Sequence, residues 1–323
     1  MRKLGALVGA VGALWCAAGQ AAEWMPTRPV RLVVPFAAGG PTDALARHLA
    51  EALRPRLNQS VVVENRAGAG GNVGAAEVAR AEPDGYTVMF GTSGQLAINI
   101  SLFRSLAYDP VTSFEPVISV GDLPNVLTVN PKVPARTLPE LVAYAKANPG
   151  KLNYASSGNG ATSHLAGVLF NEMTGTSLKH VPYRGTGPAL NDLLAGHVEM
   201  TFTDVLTAQP QVEAGKIFPI GVTTRERSAA LPNVPTLAEQ GLKDFDVSVF
   251  FGIVVPKGTP ADIVSSLNKA FADALADPKL KGVLDQQGIR PDPDRTPDGL
   301  RALIAREIPK WRVIVEASGA KLD

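Results

Sequence analysis

The sequence of 323 residues predicts an α/β protein built as two lobes that share crossing strands. Runs such as Val30–Val34 and Val61–Val63 are apolar at successive positions. That is the pattern of strands buried on both faces of a mainly parallel sheet. Each run is followed by turn or helix-start residues, so strand, loop and helix repeat along the chain. About 300 residues beyond the N-terminal segment exceed what a single core usually holds. No linker of disordered composition divides them, so the chain is expected to pass out to a second lobe and return.

The N-terminal segment, residues 1–22, differs in kind from the rest. Arg2 and Lys3 lead an apolar run from Leu4 to Ala18, and the small residues Gly19, Ala21 and Ala22 follow. This is the pattern of a secretory signal peptide, and the run is short of the roughly 20 apolar residues that span a bilayer. Trp15 before Cys16 does not suit lipidation, so cleavage near Ala22 is expected. The only cysteine, Cys16, is lost with that segment, which excludes disulfides and thiolate metal sites from the mature chain. Without Arg2 and Lys3 the 31 basic residues become 29 against 30 acidic ones, a balance that supplies no field for nucleic acid or anionic membrane. No apolar stretch of 18 residues follows the segment, so a soluble, exported, periplasmic protein with a small partner is expected.

In chain order, Val30–Val34 is the first strand. Leu45, Leu49 and Leu53 give the next helix one apolar face, which Pro55 is expected to end. Strands follow at Val61–Val63 and Tyr86–Phe90, then at Val126–Val129. A helix at Leu138–Ala147 is closed by Asn148-Pro149-Gly150. A strand at Leu152–Ala155 feeds a helix whose Leu165, Val168 and Leu169 share a face. Further strands are expected at Lys179–Pro182, Glu199–Thr203 and Phe218–Thr223. A loop from Arg225 to Pro235 leads to a short helix, a strand at Val247–Val255, and then mostly helix.

Two loops carry the functional reading. Pro35-Phe36-Ala37-Ala38-Gly39-Gly40-Pro41-Thr42-Asp43 joins a strand to a helix, with Thr42 or Asp43 as the expected N-cap. Ser156-Ser157-Gly158-Asn159-Gly160-Ala161-Thr162-Ser163-His164 does the same in the middle of the chain. Each sets unpaired N–H groups and the positive end of a helix dipole at the carboxyl edge of a parallel sheet, where an anion is favoured. One such loop is explained by tight turning alone; a pair on two lobes makes a clamp for a carboxylate. Asp204, after the apolar Met200–Thr203 run, is expected at a carboxyl edge of the second lobe. It either caps the segment Leu206–Gln211 or pairs with a cationic group on the ligand.

Other chemistries find no support. Gly68-Ala69-Gly70-Gly71-Asn72-Val73-Gly74 lacks the dinucleotide spacing, since the position three after Gly70 is Val73; close packing against neighbouring backbone is the expected role. Gly91-Thr92-Ser93-Gly94 is not a nucleophile elbow. His48, His164, His180 and His197 are scattered without metal-ligand spacing, and His48 is expected on the surface. No acid, base and nucleophile set emerges. The chain is therefore expected to be a binding protein and not an enzyme, with no cofactor or metal; a hydrolase is the remote alternative, since triad members need not be adjacent in sequence.

Several motifs then resemble one family. They are Arg28-Pro29-Val30-Arg31-Leu32-Val33-Val34-Pro35-Phe36 with Gly39-Gly40 and Asp43, Val63-Glu64-Asn65-Arg66, Pro83-Asp84-Gly85-Tyr86-Thr87, Tyr108-Asp109-Pro110, Tyr154-Ala155-Ser156, His164-Leu165-Ala166-Gly167, His180-Val181-Pro182-Tyr183, Leu231-Pro232-Asn233-Val234-Pro235-Thr236 and Pro256-Lys257-Gly258-Thr259-Pro260. In order and over almost the whole mature chain, they are similar to the Bug family of extracytoplasmic solute receptors. The resemblance implies a type II periplasmic-binding-protein fold. It also implies a carboxylate (dicarboxylate, tricarboxylate, amino acid or aromatic acid) held in the cleft largely by main-chain and water-mediated contacts, and delivery to the subunits of a tripartite tricarboxylate membrane transporter. Presentation of the loaded form to a sensor protein is the alternative, since it needs the same clamp. Ala37-Ala38, Phe250-Phe251 and Val205 depart from the family's usual residues near the pocket, which bears on which carboxylate is bound.

On this reading lobe 1 comprises residues 23–122 and 253–323 and lobe 2 residues 123–252, in a protein acting as a monomer. Ala38, Gly39 and Gly40 are expected to face Ser157, Gly158 and Thr162 across the cleft. Phe36, Asp43 and His164 complete the two loops, while Thr92, Ser93, Tyr183 and Asp204 are expected to tune selectivity. Tyr183 reads equally as a core aromatic and as a pocket wall.

Overall fold

A computed structural model of the chain describes residues 24–323; the predicted signal peptide and Cys16 lie outside them. Leu32 and Val34 in strand β1 (Val30–Val34) project to one face of the sheet and Val33 to the other, and all three are buried. This two-sided burial is why the run lacks the polar alternation of a half-exposed strand. On one face Leu45, Leu49 and Leu53 of α1 (Pro41–Leu57) and Leu267 and Phe271 of α8 (Ala261–Leu275) cover it. On the other, Ala75 and Val78 of the helix Asn72–Ala79 lie nearest β1, and Leu96 with Leu300, Ile304 and Trp311 of α10 (Pro297–Ser318) continues the same core beneath β9 (Ser248–Pro256).

The strands form one path in the order β2 (Val61–Asn65), β1, β3 (Thr87–Thr92), β9, β4 (Phe114–Val129), β7 (Met200–Asp204), β5 (Asn153–Ser156) and β6 (Lys179–Pro182), with β8 (Phe218–Val222) and β10 (Arg290–Pro291) also paired to β4. Strands β1, β2 and β3 run parallel. So do β5, β6 and β7. Between these groups runs β4. Its residues 114–124 pair antiparallel with β9, and its residues 125–129 pair with β7, alongside β8. Val247 N–H also donates to the Thr223 carbonyl (2.9 Å), which ties the start of β9 to the end of β8. Helix α10 packs against α5 (Thr162–Thr174) as well.

Four expectations are corrected. The Val61–Val63 run is not buried on both faces: β2 is the edge strand beside β1, its residues half-buried and Val62 exposed. β4 is much longer than the predicted Val126–Val129. Pro116, Gly121, Asp122 and Pro124 interrupt the apolar pattern, and the strand absorbs them through register shifts at Pro116/Ile118 and Ser119/Gly121, the positions where such residues are tolerated. Helix α1 passes through Pro55 and ends at Leu57. The proline removes the N–H that would bond the Glu51 carbonyl, and the burial of Leu57 beyond it offsets that loss. The short helix expected after Pro235 is a single turn. Thr236 Oγ1 accepts from Glu239 N–H and Glu239 Oε2 from Thr236 N–H, a helix-start pairing, but Gly241 at φ +119 diverts the chain before a second turn forms.

Candidate ligand-binding site

The first glycine loop is organised by Asp43, which is buried. Its carboxylate accepts from Gly39 N–H (2.9 Å), from Arg47 Nε and a terminal guanidinium nitrogen (3.1 and 3.0 Å), and from Asn65 Nδ2 (3.0 Å). The hydrogen bonds from Arg47 hold this carboxyl below the usual carboxylate range against the opposing effect of burial. Asn65 Nδ2 donates in addition to the Phe36 carbonyl. Asp43 is therefore committed to the loop's shape, and Gly39 N–H is committed to Asp43.

The N-cap of α1 is Gly40, not Thr42 or Asp43. Pro41 occupies the first helical position, where its fixed φ suits the helix and its missing N–H costs nothing. Phe36 is half-buried and packs on the core, while Ala38 and Gly39 are exposed, Gly39 at φ +86. Thr42 N–H, in the first turn, has no intrahelical acceptor.

The second glycine loop leaves β5 at Ser156 and enters α5 at Thr162, with Ala161 as N-cap. Ser163 in the first turn reaches back to accept from Ser157 N–H (3.0 Å), and the two serine hydroxyls are 3.0 Å apart. Gly158 sits at φ +140, donates its N–H to Ser156 Oγ (3.2 Å) and accepts from Ala161 N–H (3.2 Å). Gly160 N–H donates to His164 Nδ1 (3.1 Å). His164 is buried, with its ring against that of His180. A Cβ on Gly160 would lie against Leu102, which brings this loop to the β1–β3 side of the molecule.

The second-tier residues divide. Thr92 N–H and Oγ1 both donate to the side-chain oxygen of buried Gln95 (3.0 Å each), and Ser93 beside it is buried. Tyr183 donates its hydroxyl to Asp192 (2.6 Å), and burial, then that carboxylate, pushes the phenol up to about 12. Asp204 caps α7 (Val205–Glu213), its Oδ1 accepting from Thr207 N–H (2.8 Å). Asp204→Ala is expected to cost about 1 kcal/mol of stability, the typical loss of a cap. It should also change the affinities for an amino-bearing acid and its deaminated analogue in parallel. Calorimetry showing selective loss of the amino-bearing acid would assign Asp204 to the ligand.

The third loop is a packing element. The Gly70 carbonyl accepts from Gln95 Nε2 (2.7 Å) and Asn99 Nδ2 (3.2 Å), and a Cβ on Gly74 would meet the Arg66 carbonyl at 3.0 Å. Arg47, Asn65, Gln95, Ser163 and His180 shape the two loops or their surroundings but are not among the site residues that the sequence predicts. Gln95 carried a signal, as a polar residue among apolar ones just beyond Thr92; His180 is paired with its partners only by the fold.

A cavity of about 670 Å³ lies at the crossing strands, lined by Ser119, Gly121 and Asp122 of β4, Ser248 and Phe250 of β9, and Arg306, Glu307 and Lys310 of α10 among others. None of the predicted residues lines it. Its cations are paired with carboxylates, Arg290 with Asp122 and Glu226, Arg225 with Asp246, and Lys310 and Arg306 with Glu307, an arrangement that offers an anion little uncompensated charge.

Comparison with known proteins follows this architecture. Residues 45–320 match the family described as Tripartite tricarboxylate transporter family receptor. Protein BugT of Bordetella pertussis is 38% identical over 324 residues, covering 100% of this chain and 99% of BugT. An R. palustris structure with adipate superposes with a TM-score of 0.81 at 39% identity, covering 92% of this chain and 99% of that one. MatC from Rhodopseudomonas palustris with bound malate gives 0.77 at 36% identity, covering 90% and 100%. The mixed α/β architecture is thus that of periplasmic binding proteins, in a family of solute-binding receptors and not of enzymes. The chain belongs to the tripartite tricarboxylate transporter receptor family, as its resemblance to the Bug receptors implied.

Proposed function

We propose that this receptor captures a small carboxylate between two lobes, residues 23–122 with 253–323 and residues 123–252, in the periplasm, and hands it to a tripartite membrane transporter. The observation that carries the reading is the pair of strand–glycine loop–helix turns, Pro35–Pro41 on one group of parallel strands and Ser156–Thr162 on the other. Each ends in a helix start, where N–H groups and the dipole favour an anion. Relatives solved with adipate and with malate support a carboxylate as the ligand. Hydrogen bonds to a charged group contribute about 1.5 to 3 kcal/mol each, so a few approach the roughly 8 kcal/mol of micromolar binding. Ala38, Gly39, Gly40, Ser157, Gly158 and Thr162 are the proposed lining; the N–H groups of Gly39, Ser157 and Gly158 are bonded within their loops, so Ala38, Gly40 and Thr162 are the proposed main-chain donors.

A thermal scan with mono-, di- and tricarboxylates, amino acids and nucleotides tests this. An acid at 100 times its dissociation constant stabilises by about 2.7 kcal/mol, which raises the melting temperature by about 5 °C in a protein of this size. A shift with a nucleotide and none with any acid would overturn the reading. Native mass spectrometry of the protein purified without refolding would identify a retained solute.

A further inference from the structure

We propose that His164 and His180 act as positioning residues, an uncharged stacked pair that holds the Ser156–Ala161 loop in its ligand-receiving shape. The proposal rests on the carboxylate-clamp reading for its functional consequence, and on geometry for the rest. Tyr154, His180 and His164 form a tier. The two imidazoles stack with centroids 3.9 Å apart and planes 16° from parallel, and Tyr154 stacks on His180 at 5.1 Å. Tyr154 donates its hydroxyl to the His164 carbonyl (3.2 Å), which fixes the start of α5 to β5. From this tier each ring grips one end of the loop. His180 Nε2 is 2.6 Å from Ser156 Oγ, the atom that also accepts Gly158 N–H. His164 Nδ1 receives Gly160 N–H.

The second contact determines the protonation state. A backbone N–H is always a donor, so His164 Nδ1 must be the unprotonated nitrogen, and its neutral ring carries the proton on Nε2. A second proton would enter at Nδ1, directly opposite Gly160 N–H, and set two donors against each other. The stacking opposes charge further, because two unit charges about 4 Å apart repel by roughly 4 kcal/mol at an effective dielectric of 20. Among the described residues, no carboxylate, ammonium or guanidinium bonds to either ring. The titratable groups against the pair are Tyr154 and the two imidazoles themselves. Burial lowers the His164 pKa; burial, then the charge of His164, brings His180 down to about 4.

The sign follows. Folded-state values lie below the unfolded value near 6.5, so the pair's contribution to stability is complete above about pH 6.5 and is lost as pH falls from there towards about 4. Ligand affinity should fall at lower pH, as the folded pair takes up its proton towards the His180 value of about 4.

Two variants separate positioning from mere packing. Asn at position 164 presents an oxygen where Nδ1 lies and cannot be protonated, whereas Leu presents none. Imidazole nitrogen NMR on the ligand-free protein should show His164 with Nδ1 bare and Nε2 protonated at pH 7. The Gly160 amide resonance should move in His164→Leu and return in His164→Asn. With adipate and malate as probes, His164→Leu should weaken binding about tenfold, the equivalent of one hydrogen bond of about 1.4 kcal/mol, and His164→Asn should recover most of it. The ratio of wild-type to His164→Asn affinity should hold from about pH 7.5 to about pH 5 and decline as pH falls towards about 4, a comparison that cancels ionisation of the acid itself. A proton found on His164 Nδ1 at pH 7, or equal losses in the Leu and Asn variants, would overturn the pair's role. Wild-type protein inert to every carboxylate would instead count against the clamp reading, with the imidazole spectrum still deciding the pair.

Discussion

Gly158→Val is expected to weaken carboxylate binding about a hundredfold while leaving the protein folded. Gly158 lies at φ +140, a region that β-branched residues avoid. A Cβ there would stand 3.4 Å from the Tyr183 carbonyl, an ordinary contact, so space on that side does not forbid valine. The effect comes from the backbone. To escape the positive φ the peptide must turn, and that breaks the contacts of Gly158 with Ser156 Oγ and Ala161 N–H that shape the loop. Misplacing two charge-assisted hydrogen bonds of about 1.5 kcal/mol each corresponds to about two decades in affinity. Retaining the fold at such a site costs about 1 to 3 kcal/mol, a tolerable loss. Calorimetry with the acid that raises the melting temperature is the measurement. Unaltered affinity in folded Gly158→Val protein would move the anion site to another loop.

Gly121→Ala is expected to produce the largest loss of stability, about 3 kcal/mol or more. Gly121 sits in β4 at one of its register shifts, between Phe251 of β9 and Pro291 of the two-residue strand β10 (Arg290–Pro291). Its φ is +143, and an added Cβ would fall 2.3 Å from the Arg290 carbonyl oxygen and 3.1 Å from Pro291 Cα. These are backbone atoms, so no rotamer change relieves the contact. β10 must then leave β4, and with it the Arg290 guanidinium that bonds both Asp122 oxygens at 3.0 Å and pairs with Glu226 at 3.3 Å. Backbone strain and overpacking each cost about 1 to 3 kcal/mol. Gly258→Ala is the matched control: φ is +86 there, and nothing lies within 4 Å of the added Cβ, so only strain applies. Equal melting temperatures for the two variants would mean that β10 is not held against β4 as described.

The loops were legible because their chemistry is local. A strand ending at Val34 or Ser156, a glycine turn and a helix start are adjacent in sequence, and their dipole and N–H arithmetic needs no other part of the chain. What the loops' own side chains do was not legible. Asp43 reads as a ligand contact when it stands beside Gly39-Gly40, but its carboxylate turns to Arg47 one helical turn on and to Asn65 on another strand. Asp204 was open between cap and ligand partner, and the position of Thr207 N–H favours the cap.

By itself, the sequence determined the alternation of buried strands with one-sided helices, the ordered family motifs and the placement of glycine turns at strand ends, because each depends on periodicity or on residues a few positions apart. Tertiary structure decided the length and partners of β4, the commitment of Gln95 and Asp43 to internal bonds, and the stacking of His164 on His180. The physical reason is distance along the chain. Whether a polar group is satisfied depends on the nearest donor or acceptor in space, and for Asn65, Gln95 and His180 that neighbour lies on a different element.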